Sequence, residues 1–186
     1  MEGNQNKSPK KIVITGGPGT GKTTLIKELE HRNFTCIPEI SRQITLEARA
    51  NGIEYLFLKD PLLFSEMLLE RREKQFLEAS ALDTNFAFFD RGIPDIHAYM
   101  NHTNTEYPNI YLQKSATYTY DGVFILPPWK EIYTTDNERY ESFDMAVELH
   151  QHLKNAYTEL GYKPLEVPVG EINFRIDFII KNIENN

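Results

Sequence analysis

The sequence predicts an α/β domain whose mainly parallel, five-stranded sheet is covered by helices on both faces. Three observations predict it. Short apolar runs alternate along the chain with segments of helical period, the pattern of a sheet wound with crossover helices. Each run is bounded by Gly, Pro, Asp or Asn, residues that end strands. The 186 residues are enough for one well-buried core and too few for two ordinary domains.

The first strand is expected over Lys11–Thr15, centred on Ile12, Val13 and Ile14. A helix from Thr23 to Arg32 follows, with His31 and Arg32 in its last turn and Asn33 beyond, which suits the negative end of a helix dipole. Thr35–Glu39 is the second strand. The forty-odd residues before the third are read as helical, a long helix opening at Asp60-Pro61, a cap followed by proline at the first helical position, and running to Leu82. Phe86–Asp90 and Gly122–Leu126 are strands three and four. Phe143, Ala146, Val147, His150, Leu153, Ala156, Tyr157 and Leu160 recur every three or four residues, so they mark one apolar helical face, stopped by Gly161. Pro164–Val167 is the fifth strand and a helix from Ile172 to Ile183 closes the fold.

The formal net charge of −7 argues against a protein that neutralises a nucleic acid backbone. Cys36 is the one cysteine, unable to pair within the chain, and is read as a buried small hydrophobe. No apolar run is long enough to cross a bilayer and the first ten residues lack the apolar stretch of a signal peptide, which together predict a cytoplasmic protein. Residues 1–9 are read as a tail and 10–186 as the single domain.

The chemistry begins at Gly16-Gly17-Pro18-Gly19-Thr20-Gly21-Lys22-Thr23, a Walker A pattern lying between a β-branched strand and a helix. In that setting successive backbone N–H groups and the helix N-terminus face an anion. Gly16 and Gly21 permit conformations that a side chain would block. Lys22 brings a point charge to the β- and γ-phosphates, and the Thr23 hydroxyl is placed to ligate Mg²⁺. Thr24 offers a second hydroxyl, for the ligand or as a cap. Asp90, ending the apolar run Phe86–Phe89, has the Walker B form and is expected to hold the Mg²⁺ at the carboxyl end of its strand.

Arg91 follows at once, a second permanent cation that suits an acceptor or a transition state, or else a surface ion pair. Glu39 and Arg42 follow the second strand. Glu39 is read as accepting a proton from, or binding, an acceptor hydroxyl, and Arg42 as clamping an anionic group; the alternative is a salt-bridged helix start. Pro127–Asp136, with two prolines and Trp129, reads as a loop, and Arg139 after it would close over the phosphates unless it simply faces solvent. Arg175 lies near the purine or pairs with Glu171 or Asp177.

GGPGTGKTT, PEISR, FFDRG, NERYE and LEVP together resemble the small P-loop kinases and ATPases. The chain is most similar to single-domain predicted ATPases classed with the AAA domains and akin to the ribosylnicotinamide kinase domain, a likeness that runs through nearly all of it from Lys11. The resemblance implies a three-layer P-loop NTPase fold with sheet order 2-3-1-4-5 and a lid around 128–142 carrying Arg139. It also implies ATP held by Gly16 to Thr24, a base-like or hydroxyl-binding Glu39 and a phosphate-facing Arg91. Nucleoside kinases typically carry Glu-Pro and Glu-Arg-Ser where this chain has Glu39-Ile40 and Asp90-Arg91-Gly92.

Two functions fit. One is an ATP- and Mg²⁺-dependent phosphotransferase acting on a small nucleoside-, nucleotide- or riboside-type metabolite, which uses the additional arginines. The other is a nucleotide-hydrolysing switch with a protein or lipid partner, which uses only the cradle and Asp90. The chain has no Asn-Lys-x-Asp guanine signature, which favours ATP while leaving GTP compatible.

Overall fold

The Ile12-Val13-Ile14 run becomes the middle of the sheet because both faces of it are apolar. In the computed structural model, which describes residues 8–133 and 142–184, β1 (Lys10–Gly16) lies between β3 (Phe86–Asp90) and β4 (Gly122–Leu126). β2 (Thr35–Ile37) and β5 (Leu165–Glu166) form the edges, and the order is β2-β3-β1-β4-β5. Every pairing is parallel, with Ile14 opposite both Asp90 and Phe124 and Gly16 opposite Leu126. This register brings the ends of β1, β3 and β4 to one edge.

Strand periodicity then divides the core in two. Ile12, Ile14, Phe88 and Phe124 point to the side covered by α1 (Lys22–His31) and α8 (Ile172–Glu184), where Leu25, Leu29, Ile176 and Ile179 meet them. Val13, Phe89 and Val123 point to the other side, packing with Tyr120 and Tyr157. That side carries α4 (Pro61–Ala79), α5 (Pro94–His102) and α7 (Phe143–Glu159), while α2 (Ser41–Ala50), the single turn α3 (Leu56–Lys59) and α6 (Ile110–Thr117) build a further cluster with them. The three-layer arrangement and strand order agree with expectation.

Local chemistry explains the boundaries. Asp60 caps α4, its carboxylate accepting from the Leu63 N–H at 3.0 Å with Pro61 in the first turn. The helix stops at Ala79 rather than Leu82 because Ser80, Ala81 and Leu82 close three-residue turns onto Leu77, Glu78 and Ala79. β2 ends at Ile37, since Pro38 has no N–H for the ladder. Glu39 therefore stands two residues beyond the strand. β5 likewise shortens to Leu165–Glu166. On α7, Ser142 caps the start, and the buried face is Ala146, Leu149, Leu153, Ala156 and Tyr157; Val147, read as core, is exposed. Cys36 is half-buried, its thiol turned to the Ile26 carbonyl. Among the described residues no helix is long and apolar enough to cross a membrane.

Candidate functional site

Residues 17–21 carry the chain from the end of β1 into α1. Gly21 is the N-cap, with φ +81°, the left-handed region that glycine enters without strain, and no side chain caps the helix there. At Gly16 a side chain is impossible, because a Cβ would lie 2.8 Å from the Leu126 carbonyl oxygen. The Thr20 hydroxyl donates to the Gly17 carbonyl at 2.9 Å and ties the loop to itself. The first N–H groups of α1 thus open onto a cavity of about 630 Å³ walled by Gly17 to Thr24. Lys22 is buried against it and its ammonium contacts the Asp90 carboxylate. Burial and Arg91 push the Lys22 pKa down, against the upward pull of Asp90 and Glu39.

The sheet order sorts the rest of the wall. Glu39 and Arg91 follow β2 and β3, on one side of β1; Trp129 and Ile132 follow β4, and Gly170, Glu171, Ile172 and Arg175 follow β5, on the other. One cavity therefore joins two ends across the phosphate cradle.

At the first end, the Glu39 carboxylate accepts from the Ser41 N–H at 2.9 Å and the Ser41 hydroxyl at 2.6 Å. Arg72 Nη2 and Arg91 Nε stand 3.7 and 3.8 Å from its two oxygens. Burial opposes its ionisation, but Arg91, Arg72 and Ser41 prevail and hold its pKa at about 2. Glu39 is thus held ionised, which suits it to accept a hydrogen bond from a hydroxyl.

Arg91 is no surface ion pair. Its backbone takes φ +75°, uncommon for a side-chain-bearing residue, and its N–H donates to the Ile14 carbonyl at 3.0 Å. Its guanidinium donates to Asp95 at 3.3 Å and lies 5.2 Å from the centre of the Tyr99 ring. Asp95, 1% exposed, also accepts from Thr15 Oγ1 at 2.5 Å, the Gly92 N–H at 3.0 Å and Tyr157 Oη at 2.6 Å. Arg72 donates to the Gly92 carbonyl at 2.6 Å, so the turn after β3 is held from all sides.

At the second end Arg175 is buried and donates to the Thr20 carbonyl at 3.1 Å, with its guanidinium 5.6 Å from the Trp129 ring centre. It pairs with neither acid suggested by the sequence; Asp177 is bridged to Arg32 instead.

The structure thus brings Lys22, Glu39, Asp90 and Arg91 together beside Thr23 and Thr24. Arg42 lies exposed on α2 and does not line the cavity. Arg139 falls outside the described residues, as does the segment 134–141 of the expected lid. Thr23 lines the cavity and Asp90 is in contact with the neighbouring Lys22; a threonine hydroxyl and a carboxylate are oxygen donors of the kind that suits Mg²⁺ shared with phosphates.

Sequence reading missed Asp95, Arg72 and Tyr157 as parts of the site. Arg72 left a signal: it stands four residues after Leu68 and four before Phe76, a cation on the apolar stripe of α4. Asp95 left none, because an acid in the first turn of a helix is expected whatever it faces.

A family model described as an AAA domain matches residues 11–175. No curated protein sequence matches the chain. Among solved structures, a deoxyadenosine kinase from M. mycoides with dCMP and dCDP bound is similar at a TM-score of 0.68 and 18% identity, covering 95% of this chain and 100% of that one. The NadR protein in complex with NR gives 0.71 at 17% identity over 95% of this chain and 49% of that one, so this chain spans about half its length. Thymidylate kinase from Ehrlichia chaffeensis gives 0.62 at 16% identity over 95% and 99% of the two chains. At such identities the likeness is one of fold.

Proposed function

The chain belongs to the AAA domain family, and from that membership and the site's geometry we propose that it is an ATP- and Mg²⁺-dependent phosphotransferase acting on a small nucleoside-, nucleotide- or riboside-type metabolite. The observation that carries this reading is the pairing of Glu39 and Arg91 on the wall of the cavity that the phosphate cradle opens onto. A protein that only binds a nucleotide needs the cradle and Asp90; a second carboxylate and a half-buried arginine beside them suit a reaction at the γ-phosphate, and the walled space at this end suits an acceptor larger than water. Kinase activity is what the printed names of the similar structures state of those proteins, and it supports the reading here.

In this reading the amides of Gly17 to Thr24 bind the donor's phosphates, and Lys22 turns from Asp90 to the β- and γ-phosphates. Thr23 and Asp90 would hold Mg²⁺, which supplies charge neutralisation at the phosphates when bound. The permanently ionised Glu39 accepts the hydrogen bond of the acceptor hydroxyl and so aims its oxygen at the γ-phosphorus. The bond from that phosphorus to the β–γ bridging oxygen breaks as the bond to the acceptor oxygen forms. The hydroxyl proton leaves late, along the hydrogen bond and on to water, because a loose transition state asks little of a base. Arg91 adds fixed positive charge where the transferring group gains negative charge.

The test is release of ADP from Mg·ATP with and without a panel of nucleosides, nucleotides and pyridine ribosides. Release stimulated at least about tenfold by one acceptor class, with Lys22→Ala inactive, is the expected result. Equal release with and without every acceptor would replace the phosphotransferase by a hydrolase.

A further inference from the structure

We propose that Asp95 is a specificity-determining residue: by neutralising Arg91 from behind while Glu39 flanks it in front, it fits this end of the cavity to an uncharged, hydroxyl-bearing acceptor, a nucleoside or riboside, and sets it against the corresponding 5′-monophosphate. The inference rests on the phosphotransferase reading for the word acceptor, and on charge and geometry for the rest.

Among the described residues, three cations at this end meet carboxylates. Arg91 lines the cavity and stands between Asp95 at 3.3 Å and Glu39 at 3.8 Å. Arg72, behind it, is 5% exposed and divides its guanidinium between the Gly92 carbonyl and Glu39. Lys22 contacts Asp90 and is the group the donor's phosphates would draw away. Three cations thus face three carboxylates, Glu39, Asp90 and Asp95. A phosphate dianion entering beside Arg91 would find that charge already neutralised and would meet Glu39, which stays ionised near neutral pH. A hydroxyl meets the reverse: a carboxylate with no proton of its own, ready to accept.

Asp95 is 1% exposed, and its two oxygens take four donors, from Thr15, Arg91, Gly92 and Tyr157. Of these four partners Arg91 is the permanent cation, and its guanidinium stands 3.3 Å from the Asp95 carboxylate.

The test is calorimetric binding of adenosine, cytidine and thymidine, each against its own 5′-monophosphate, in the presence of magnesium and a non-hydrolysable ATP analogue. The unphosphorylated form of whichever pair binds is expected to bind at least about tenfold more tightly. Asp95→Asn is expected to shift that ratio at least about tenfold toward the monophosphate, because it frees the charge of Arg91. If thermal unfolding shows that this variant does not fold, Asp95→Ser carries the test: it removes the same charge, keeps a hydrogen-bonding hydroxyl for the surrounding donors and shifts the ratio the same way. Tighter or equal binding of the monophosphate by the unaltered protein overturns the inference. So does an unchanged ratio in the folded variants, or binding by no member of the panel. This ranking needs no turnover: absent ADP release with the ranking intact would remove the phosphotransferase alone, and turnover with monophosphates preferred would remove the inference alone.

Discussion

His97 offers a stability prediction whose sign and size both come from its surroundings. It lies on α5, 1% exposed, with Nδ1 3.4 Å from the Ser115 hydroxyl of α6 and its ring 6.2 Å from that of Tyr107. Burial lowers its pKa from 6.5 to about 4, in spite of the opposing charge of Asp95. The folded protein therefore keeps the imidazole neutral where the unfolded chain protonates it. Between pH 6.5 and about 4 the unfolded state binds more protons, so stability is complete above that window and falls as the pH falls through it. At about 1.4 kcal/mol per pH unit the whole effect is about 3 kcal/mol, most of it already lost by about pH 4.5. That upper part of the window is the clean one. The stabilisation from Glu39, whose pKa drops from 4.5 to about 2, is complete above 4.5 and lost only as the pH falls toward 2. The assay is urea unfolding by circular dichroism at several pH values from about 7 to 4.5, for the unaltered protein and for His97→Gln, which keeps a polar group beside Ser115 without titrating. The unaltered protein should lose about 2 to 3 kcal/mol more than the variant across that range. Curves that run parallel to within about 0.5 kcal/mol would refute the claim that His97 is held neutral.

Other outcomes follow from the same geometry. Lys22→Ala should abolish Mg·nucleotide binding by calorimetry, and retained affinity would remove the cradle assignment. Gly21→Ala forces a side chain into φ +81° and to within 2.8 Å of Arg175 Nη1, so we expect a loss of about 1 to 2 kcal/mol in urea unfolding together with weaker nucleotide binding. Cys36, whose thiol burial and nearby acids push up to about 12, should react with iodoacetamide at least about a hundredfold more slowly in the folded than in the unfolded chain. Arg139→Ala, an assignment made from sequence alone, should lower turnover while ATP affinity is kept; loss of nucleotide affinity instead would contradict it.

Much of the fold was legible because it depends on near neighbours in the chain. The apolar run of β1, the cap at Asp60-Pro61 and the phosphate loop are patterns within a few residues, and the structure keeps each of them. Boundaries were less legible where one residue decides, as Pro38 does for β2. The face of α7 was misread at Val147 because helical spacing alone does not say how the helix is rotated against Ala98 and Ile125. Glu39 shows the limit for chemistry. Its position beside the cradle followed from the motif order, but its character as a fixed carboxylate depends on Arg72, thirty-three residues away in the chain, and on Arg91.

By itself, the sequence determined the phosphate-loop pattern, since its glycines, lysine and threonine are neighbours in one short turn between a strand and a helix. Only the tertiary structure decided what the groups beyond it are worth. Glu39, Arg72, Arg91 and Asp95 come from the turn after β2, α4, the turn after β3 and the start of α5, and whether each is a free charge or a neutralised one is set by distances across the packed domain. Charge interactions fall off over a few ångströms, and a linear order of residues does not contain those distances.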